Sequence, residues 1–297
     1  MRGTGLALGE ARCSVCGRRA VYKRAYSGEL LCGRCLLRAL ARSVKRQASR
    51  SGGFRPRMGV VVPAALEAPH LGLALAMALH EATRGLDVTV HIVVPEGRGW
   101  AVEVPREVLA RLAGMGRVRL WRARLQLRRL PSTLRACIRL DRAWSALAAR
   151  QLGAGAVGLP VTRTTATLAA VDALLRGEPW GLSEALEESV YIGGIAVAPL
   201  FYSVEGEAAS ALAAVEGLKA WGPCKPESLS WGPLMSVLHG RPELEFSPAK
   251  AIGLLAGQLR GMPRCRLCGG YTPRPGVCPD CAGVGLEAVE VEPLHEA

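Results

Sequence analysis

The pattern that most constrains this chain is a pair of cysteine knuckles that occurs twice. Cys13-x2-Cys16 is followed by Cys32-x2-Cys35, and Cys265-x2-Cys268 by Cys278-x2-Cys281. Each knuckle turns two thiolates toward one point, and two knuckles complete a tetrahedron around a zinc ion. Four sulfur ligands leave no open coordination position, so both sites are expected to be structural zinc sites. Disulfides are the competing use for ten cysteines, but they dominate in small secreted chains. A chain of 297 residues that is 49% hydrophobic has enough apolar material for a substantial core.

The two modules divide the chain. Residues 1–50 read as an N-terminal zinc module with a basic helix over Leu36–Arg50. Leu36, Leu37, Leu40 and Val44 make its apolar stripe, and Arg38, Arg42, Lys45, Arg46 and Arg50 occupy the remainder. Ser51-Gly52-Gly53 and Pro56 read as a linker. Residues 58–260 read as the main domain, 263–284 as the second zinc module and 285–297 as an acidic tail.

Within the main domain, strands are expected at Met58–Pro63, Val88–Val94, Arg117–Leu125 and Ala156–Gly158. Helices are expected at Leu71–Thr83, Val104–Ala113, Leu134–Leu152 and Thr165–Arg176. The alternation of short β-branched runs with helical segments predicts an α/β fold, a parallel sheet covered on both faces.

The formal charge of +13 comes from 38 basic residues, all but five of them arginine. Such a surplus attracts polyanions, and guanidinium forks suit RNA phosphates and bases. Arginine preference in a GC-rich genome or a thermophile explains the same composition, and the absence of asparagine fits heat adaptation. Arg117–Arg129 alternates arginine with apolar residues, which places Arg119, Arg122 and Arg124 either on an RNA-facing edge or on a solvated face that blunts an edge strand. No uninterrupted apolar run reaches 18 residues and no signal-peptide pattern opens the sequence, so a cytoplasmic protein with no membrane partner is expected. His70, His80, His91 and His239 show no ligand spacing.

Several segments, in order, resemble the tRNA 2-thiouridine synthetases. CSVCGRRAVYKRAYSGELLCGRC (Cys13–Cys35) is similar to their N-terminal zinc module. Val90–Gly97, Leu147–Gly158, Thr167–Pro179, Ala198–Leu218 and Trp221–Ser228 are similar to successive pieces of their core, and the second zinc module closes the series. The resemblance implies a Rossmann-like core of the adenine nucleotide alpha-hydrolase type (a PP-loop ATP pyrophosphatase) between two zinc modules. It also implies tRNA as partner, an ubiquitin-like sulfur carrier, and assembly as a homodimer or with an active paralogue.

The departures matter as much. The family's phosphate loop, Ser-Gly-Gly-x-Asp-Ser, stands here as Pro63-Ala64-Ala65-Leu66-Glu67-Ala68, with no glycine, no hydroxyl and a proline that lacks an N–H. Glu67 is expected to put negative charge where phosphate would sit. The Gly-His-Asn-x-Asp-Asp stretch stands as Gly158-Leu159-Pro160-Val161-Thr162-Arg163. Of the family's three core cysteines, Cys137 and Cys224 have counterparts and Leu134 replaces the third, so the set for an iron–sulfur cluster is incomplete. These two thiols form a redox disulfide, carry a persulfide as the catalytic pair of an active tRNA sulfurtransferase, or are plain buried cysteines. The leading expectation is a pseudoenzyme: a tRNA-binding subunit or scaffold, with a general RNA-binding protein as a further alternative.

Overall fold

The runs rich in valine and isoleucine form the middle of one sheet, as strands buried on both faces must. The computed structural model describes residues 10–224, 251–255 and 259–294. A hairpin of β1 (Tyr22–Lys23) and β2 (Leu30–Leu31) leads into helix α1 (Gly33–Arg50). Then follow β3 (Gly59–Pro63), α2 (Pro69–Ala82), β4 (Thr89–Gly97), β5 (Trp100–Ala101), α3 (Arg106–Ala113), β6 (Val118–Leu127), α4 (Leu134–Gln151), β7 (Ala156–Leu159) and α5 (Arg163–Leu175). A 3-10 helix (Pro179–Ala185), β8 (Val190–Ile192), β9 (Ile195–Pro199), α6 (Gly206–Val215), α7 (Pro279–Val284) and β10 (Leu286–Pro293) complete the described elements.

The sheet order is β10-β6-β4-β3-β7-β9-β8, with β5 paired to the end of β4. The five central strands are parallel, as expected, and β8 and β10 add antiparallel edges. Side chains alternate across the sheet with period two. Val60, Val62, Val90 and Ile92 face α1, α2, α3 and α6, whereas Val61, Val93, Val157 and Val197 face α4 and α5. No described helix is long and apolar enough to cross a membrane.

Three expectations are corrected. The segment read as an acidic tail is largely strand: β10 pairs antiparallel with β6 from Leu286↔Leu127 to Pro293↔Trp121. The arginine-rich strand β6 is therefore not an edge. The basic helix begins three residues before Leu36, because Cys32 holds an extended conformation at its N-cap and the chain turns helical at Gly33. The β8–β9 hairpin went unread, although Gly193-Gly194, both at positive φ, is a common two-residue hairpin turn.

The chain order places β3 beside β4 on one side and β7 on the other. At such a reversal the loops leaving neighbouring strands diverge and open a crevice at their C-terminal ends. The loops after β3 and β7, Ala64–Ala68 and Pro160–Thr162, hold two of the stretches where the sequence departs from the resembled family.

Candidate functional site

The head module brings Cys13, Cys16, Cys32 and Cys35 together, and the tail module Cys265, Cys268, Cys278 and Cys281. Within each group the sulfurs lie within 4.8 Å of one another. Four sulfurs at 2.3 Å from one zinc would stand about 3.8 Å apart at the corners of a tetrahedron. Cys16 and Cys32 Sγ are 3.5 Å apart, Cys16 and Cys35 3.6 Å, and Cys268 and Cys278 3.9 Å. The donor sets thus fit a single metal ion each.

Crowded thiols share protons unevenly without a cation. Burial acts to raise Cys13, but backbone N–H donors outweigh it and bring the thiol down to about 6. Burial and the neighbouring Cys16 push Cys35 up to about 12. In the tail, hydrogen bonds within the cluster hold Cys265 far below the usual thiol range and push Cys281 far above it. In both modules the third cysteine stands at a helix N-cap and the fourth lies in the first turn: Cys32 and Cys35 on α1, Cys278 and Cys281 on α7. The positive end of a helix favours thiolate at the capping position, and Cys32 and Cys278 are both held below the usual thiol range.

The tail module leans on buried charges that sequence reading missed. Arg135, Arg139 and Arg142 are spaced along α4 so that all three face inward, and all are buried. Arg139 reaches Glu184 at 3.0 Å, Asp280 at 3.2 Å and the Tyr271 carbonyl at 3.1 Å. Arg142 shares Glu184 at 3.0 Å, and Arg135 holds Asp280 at 2.9 Å and pairs with Glu178. Although burial acts to lower it, Glu184 and the nearby Cys268 and Cys278 sulfurs hold Arg139 firmly protonated.

The crevice is closed at the loop after β3. Ala64, Ala65 and Leu66 are fully buried. The Ala64 N–H donates to the Val93 carbonyl at 2.9 Å, and the Leu66 N–H donates to Asp141 at 3.1 Å. The Leu66 carbonyl accepts from the Cys224 N–H at 3.1 Å. A Cβ at Gly222 would stand 2.1 Å from that carbonyl, so only glycine lets this segment approach the loop. Glu103 and Trp221 exchange two backbone hydrogen bonds, of 2.9 and 3.0 Å, and hold the segment in place.

Glu67 does not project charge into the crevice as the sequence suggested. Its side chain hydrogen-bonds Asp141, and Glu67 Oε2 is buried with no N–H or hydroxyl donor. Burial, and for Asp141 the facing Glu67, raises both carboxyls above their ordinary range. Each carboxyl is thereby pushed toward its protonated form. Asp141 also accepts from Trp144 Nε1 at 2.8 Å. After β7, Thr162 is spent on capping α5, its hydroxyl accepting from the Thr165 N–H at 3.2 Å. Arg163 Nη2 donates to the Ser203 carbonyl at 2.7 Å.

Cys137 and Cys224, 87 residues apart, are disulfide-bonded with their Cα atoms 6.6 Å apart. Among the remaining candidates, Arg38, Arg42, Lys45 and Arg46 are exposed on α1. Arg119 lies elsewhere, on β6, with Arg122 and Arg124. Arg122 and Arg124 are in ion pairs with Glu96 and with Glu292 of β10. His91 accepts from Trp121 Nε1 at 2.9 Å, and burial lowers its pKa, so it is neutral. His239 lies outside the described residues.

Comparison with known proteins agrees at both levels. Residues 12–37 match the N-terminal LIM domain of the 2-thiouridine synthetase TtuA. The fold matches the U34-tRNA thiolase NcsA from Methanococcus maripaludis, solved with its [4Fe-4S] cluster. The TM-score is 0.66 over 91% of this chain and 94% of that one. The chain is similar to the tRNA 2-thiouridine synthetases. At 15% identity the match to NcsA establishes the thiolase-like fold, and the head module carries the sequence likeness. No curated protein matches the sequence.

Proposed function

We propose that this chain is a tRNA-binding protein of the uridine 2-thiolation type that has given up its nucleotide site and acts as a non-catalytic subunit or scaffold beside an active paralogue. The observation that carries this reading is a head similar to that of the 2-thiouridine synthetases joined to a phosphate loop that is buried, occupied by internal hydrogen bonds and backed by a buried pair of carboxyls. Phosphate binding at a helix N-terminus needs free N–H groups and room for the anion. Ala64 and Leu66 offer neither.

Zinc is the proposed metal in both modules. A [4Fe-4S] cluster binds each cysteine to a different iron and therefore spreads its ligand sulfurs, whereas these sulfurs converge on one point. The core cysteines that a cluster would need are bonded to each other. The zinc modules would hold the fold without taking part in chemistry.

The proposed RNA surface is the exposed face of α1 with the head module. Arg34, Arg38, Arg42 and Lys45 form no ion pair among the described residues, and residues 10–50 hold eleven basic residues against Glu10 and Glu29. Arg119, Arg122 and Arg124 contribute less, because glutamates offset the latter two. Calorimetry with Mg-ATP should give no binding heat, while a tRNA transcript should shift the chain in native gels at low salt. ATP-dependent sulfur transfer by the purified chain would overturn the scaffold reading in favour of an active sulfurtransferase using Cys137 and Cys224. Equal affinity for unrelated RNAs would leave a general RNA-binding protein.

A further inference from the structure

Among the described residues, two that are not glycine hold a positive φ, and both are arginine: Arg57 at 62° and Arg117 at 64°. A side chain in this region carries a steric cost that glycine escapes. The two arginines stand at the same end of the sheet, Arg57 just before β3 and Arg117 just before β6. The start of β4 lies between them, its Thr89 N–H donating to the Met58 carbonyl at 3.0 Å and its Val90 N–H to the Arg117 carbonyl at 2.9 Å. Both guanidiniums reach one carboxylate, Asp87, Arg57 at 4.0 Å and Arg117 at 3.6 Å. Their side chains are 89% and 53% exposed. Ion pairs this exposed add little to stability, so folding alone gives no reason to keep arginine where glycine would fit. Asp87 tethers two cations and leaves one positive charge over. The corner also continues the basic face of α1. Arg34, Arg38 and Arg42 recur every four residues, about 6 Å apart along one exposed side, a step comparable with that between successive phosphates of an RNA strand. Lys45 and Arg46 extend the row, and exposed Arg55 links it to Arg57. Arg84, nearby in the chain, is offset by Glu81 at 2.8 Å.

We propose, building on the RNA-binding reading above, that a double-helical stem of the RNA lies along α1 and reaches the N-terminal edge of the sheet, where Arg57 and Arg117 grip its phosphates. Between Arg34 and Arg57 no aromatic side chain is exposed. Single strands are held by stacking their bases on aromatic rings, whereas an RNA duplex is read through its backbone and shape. A row of cations without stacking surfaces therefore fits the duplex. From Arg34 to the start of β6 the track is on the order of 30 Å long, comparable with one turn of a double helix. The strained backbone sets both guanidiniums on one carboxylate before RNA arrives, so less freedom is lost when phosphate binds. The edge is also the wrong end of the sheet for chemistry at the crevice. Ala64–Ala68 leaves the far end of β3, a strand about 16 Å long. RNA gripped at Arg57 and Arg117 is held without bringing a nucleotide to the closed loop.

The test uses the full chain with both metals bound. Fluorescence anisotropy follows three labelled RNAs over a range of salt: a tRNA transcript, a fully paired hairpin and an unstructured single strand of the hairpin's length. The wild type should bind tRNA and hairpin alike, and the single strand about tenfold more weakly or worse. Arg57→Gly with Arg117→Gly removes two charges and two strained positions together. This variant should melt no lower than the wild type, while hairpin affinity falls about tenfold and the salt slope by about two. Asp87→Asn, which frees both arginines, should tighten hairpin binding. Glu287→Gln, the same change of charge on β10, should not. Unchanged affinity and slope in the double glycine variant, with Arg38→Glu and Arg42→Glu still weakening binding, overturns the proposal and leaves the RNA reading standing. A lower melting temperature with RNA binding intact makes the two arginines structural tethers, and that also overturns it. Tighter binding of the single strand than of the hairpin overturns the duplex assignment. A wild type that binds none of the three RNAs overturns the RNA reading itself. If the double variant fails to fold, Arg57→Gly alone and Asp87→Asn decide.

Discussion

The two cysteine modules share a ligand set and differ in nearly everything around it. In the head, Cys16 is exposed and the module rests on the sheet through α1. In the tail all four cysteines are buried, and Asp280, between Cys278 and Cys281, is held by Arg135 and Arg139 of α4. Residues 10–50 carry a large basic excess, whereas residues 259–294 hold four basic and four acidic side chains. The difference teaches that one coordination motif serves two ends: the head presents charge outward, and the tail ties the core together.

Metal loss should separate them most sharply. Cys268→Ser should drop the metal count by one and lower the stability of the whole chain, because structural zinc contributes on the order of 10 kcal/mol to its module and this module packs against α4. Cys16→Ser should also release one metal yet leave the main unfolding transition nearly in place. Elemental analysis with denaturant unfolding reads both, and equal destabilisation by the two variants would erase the contrast.

Next in size is Arg139→Met. Leaving Glu184 and Asp280 without this partner should cost about 3–5 kcal/mol and weaken the tail site alone. In the wild type a chelator should strip the head site, with its exposed Cys16, first, whereas in Arg139→Met it should release tail metal before head metal.

RNA binding should show the opposite polarity. Arg38→Glu, Arg42→Glu and Arg46→Glu together should weaken tRNA affinity steeply and reduce the salt slope by about three, since each lost phosphate contact removes roughly one released counterion. Changing Arg260 and Arg274 on the tail side to glutamate should do little. Equal weak binding by both variants would leave the charge explained by composition alone.

The smallest effect lies between the modules. Glu67 and Asp141 have folded-state pKa values above their ordinary ones. Their contribution to stability is therefore present at pH below the usual carboxylate range and is lost as pH rises from there toward the raised values. Glu67→Gln removes the coupling, so its melting temperature should fall less than that of the wild type between mildly acidic and alkaline pH. Parallel curves would mean the carboxyls are not coupled.

Much of this was legible in the residues. The knuckles were fixed by spacing, and the central strands by runs such as Val88–Val94 that no other element would bury. What escaped was long-range. Leu286–Pro293 reads as tail by its charge, and only its backbone pairing with β6, distant in sequence, shows it to be strand. Arg135, Arg139 and Arg142 look solvent-facing on any local scale, because nothing nearby in sequence reveals Glu184 or Asp280. Glu67 was placed correctly in the chain, but its charge was assigned without Asp141, which comes from another helix.

The position of β10 has a consequence for synthesis. It is the outermost strand on its side, and β6 has no outer neighbour until Leu286–Pro293 has left the ribosome. For the time needed to make more than half the chain, a long arginine-bearing strand with unpaired amides stands open. Such an edge invites pairing with other nascent chains. The alternating arginines of β6 repel a second copy of themselves, so the charge that first suggested a nucleic-acid surface also guards an unfinished sheet until its acidic strand arrives.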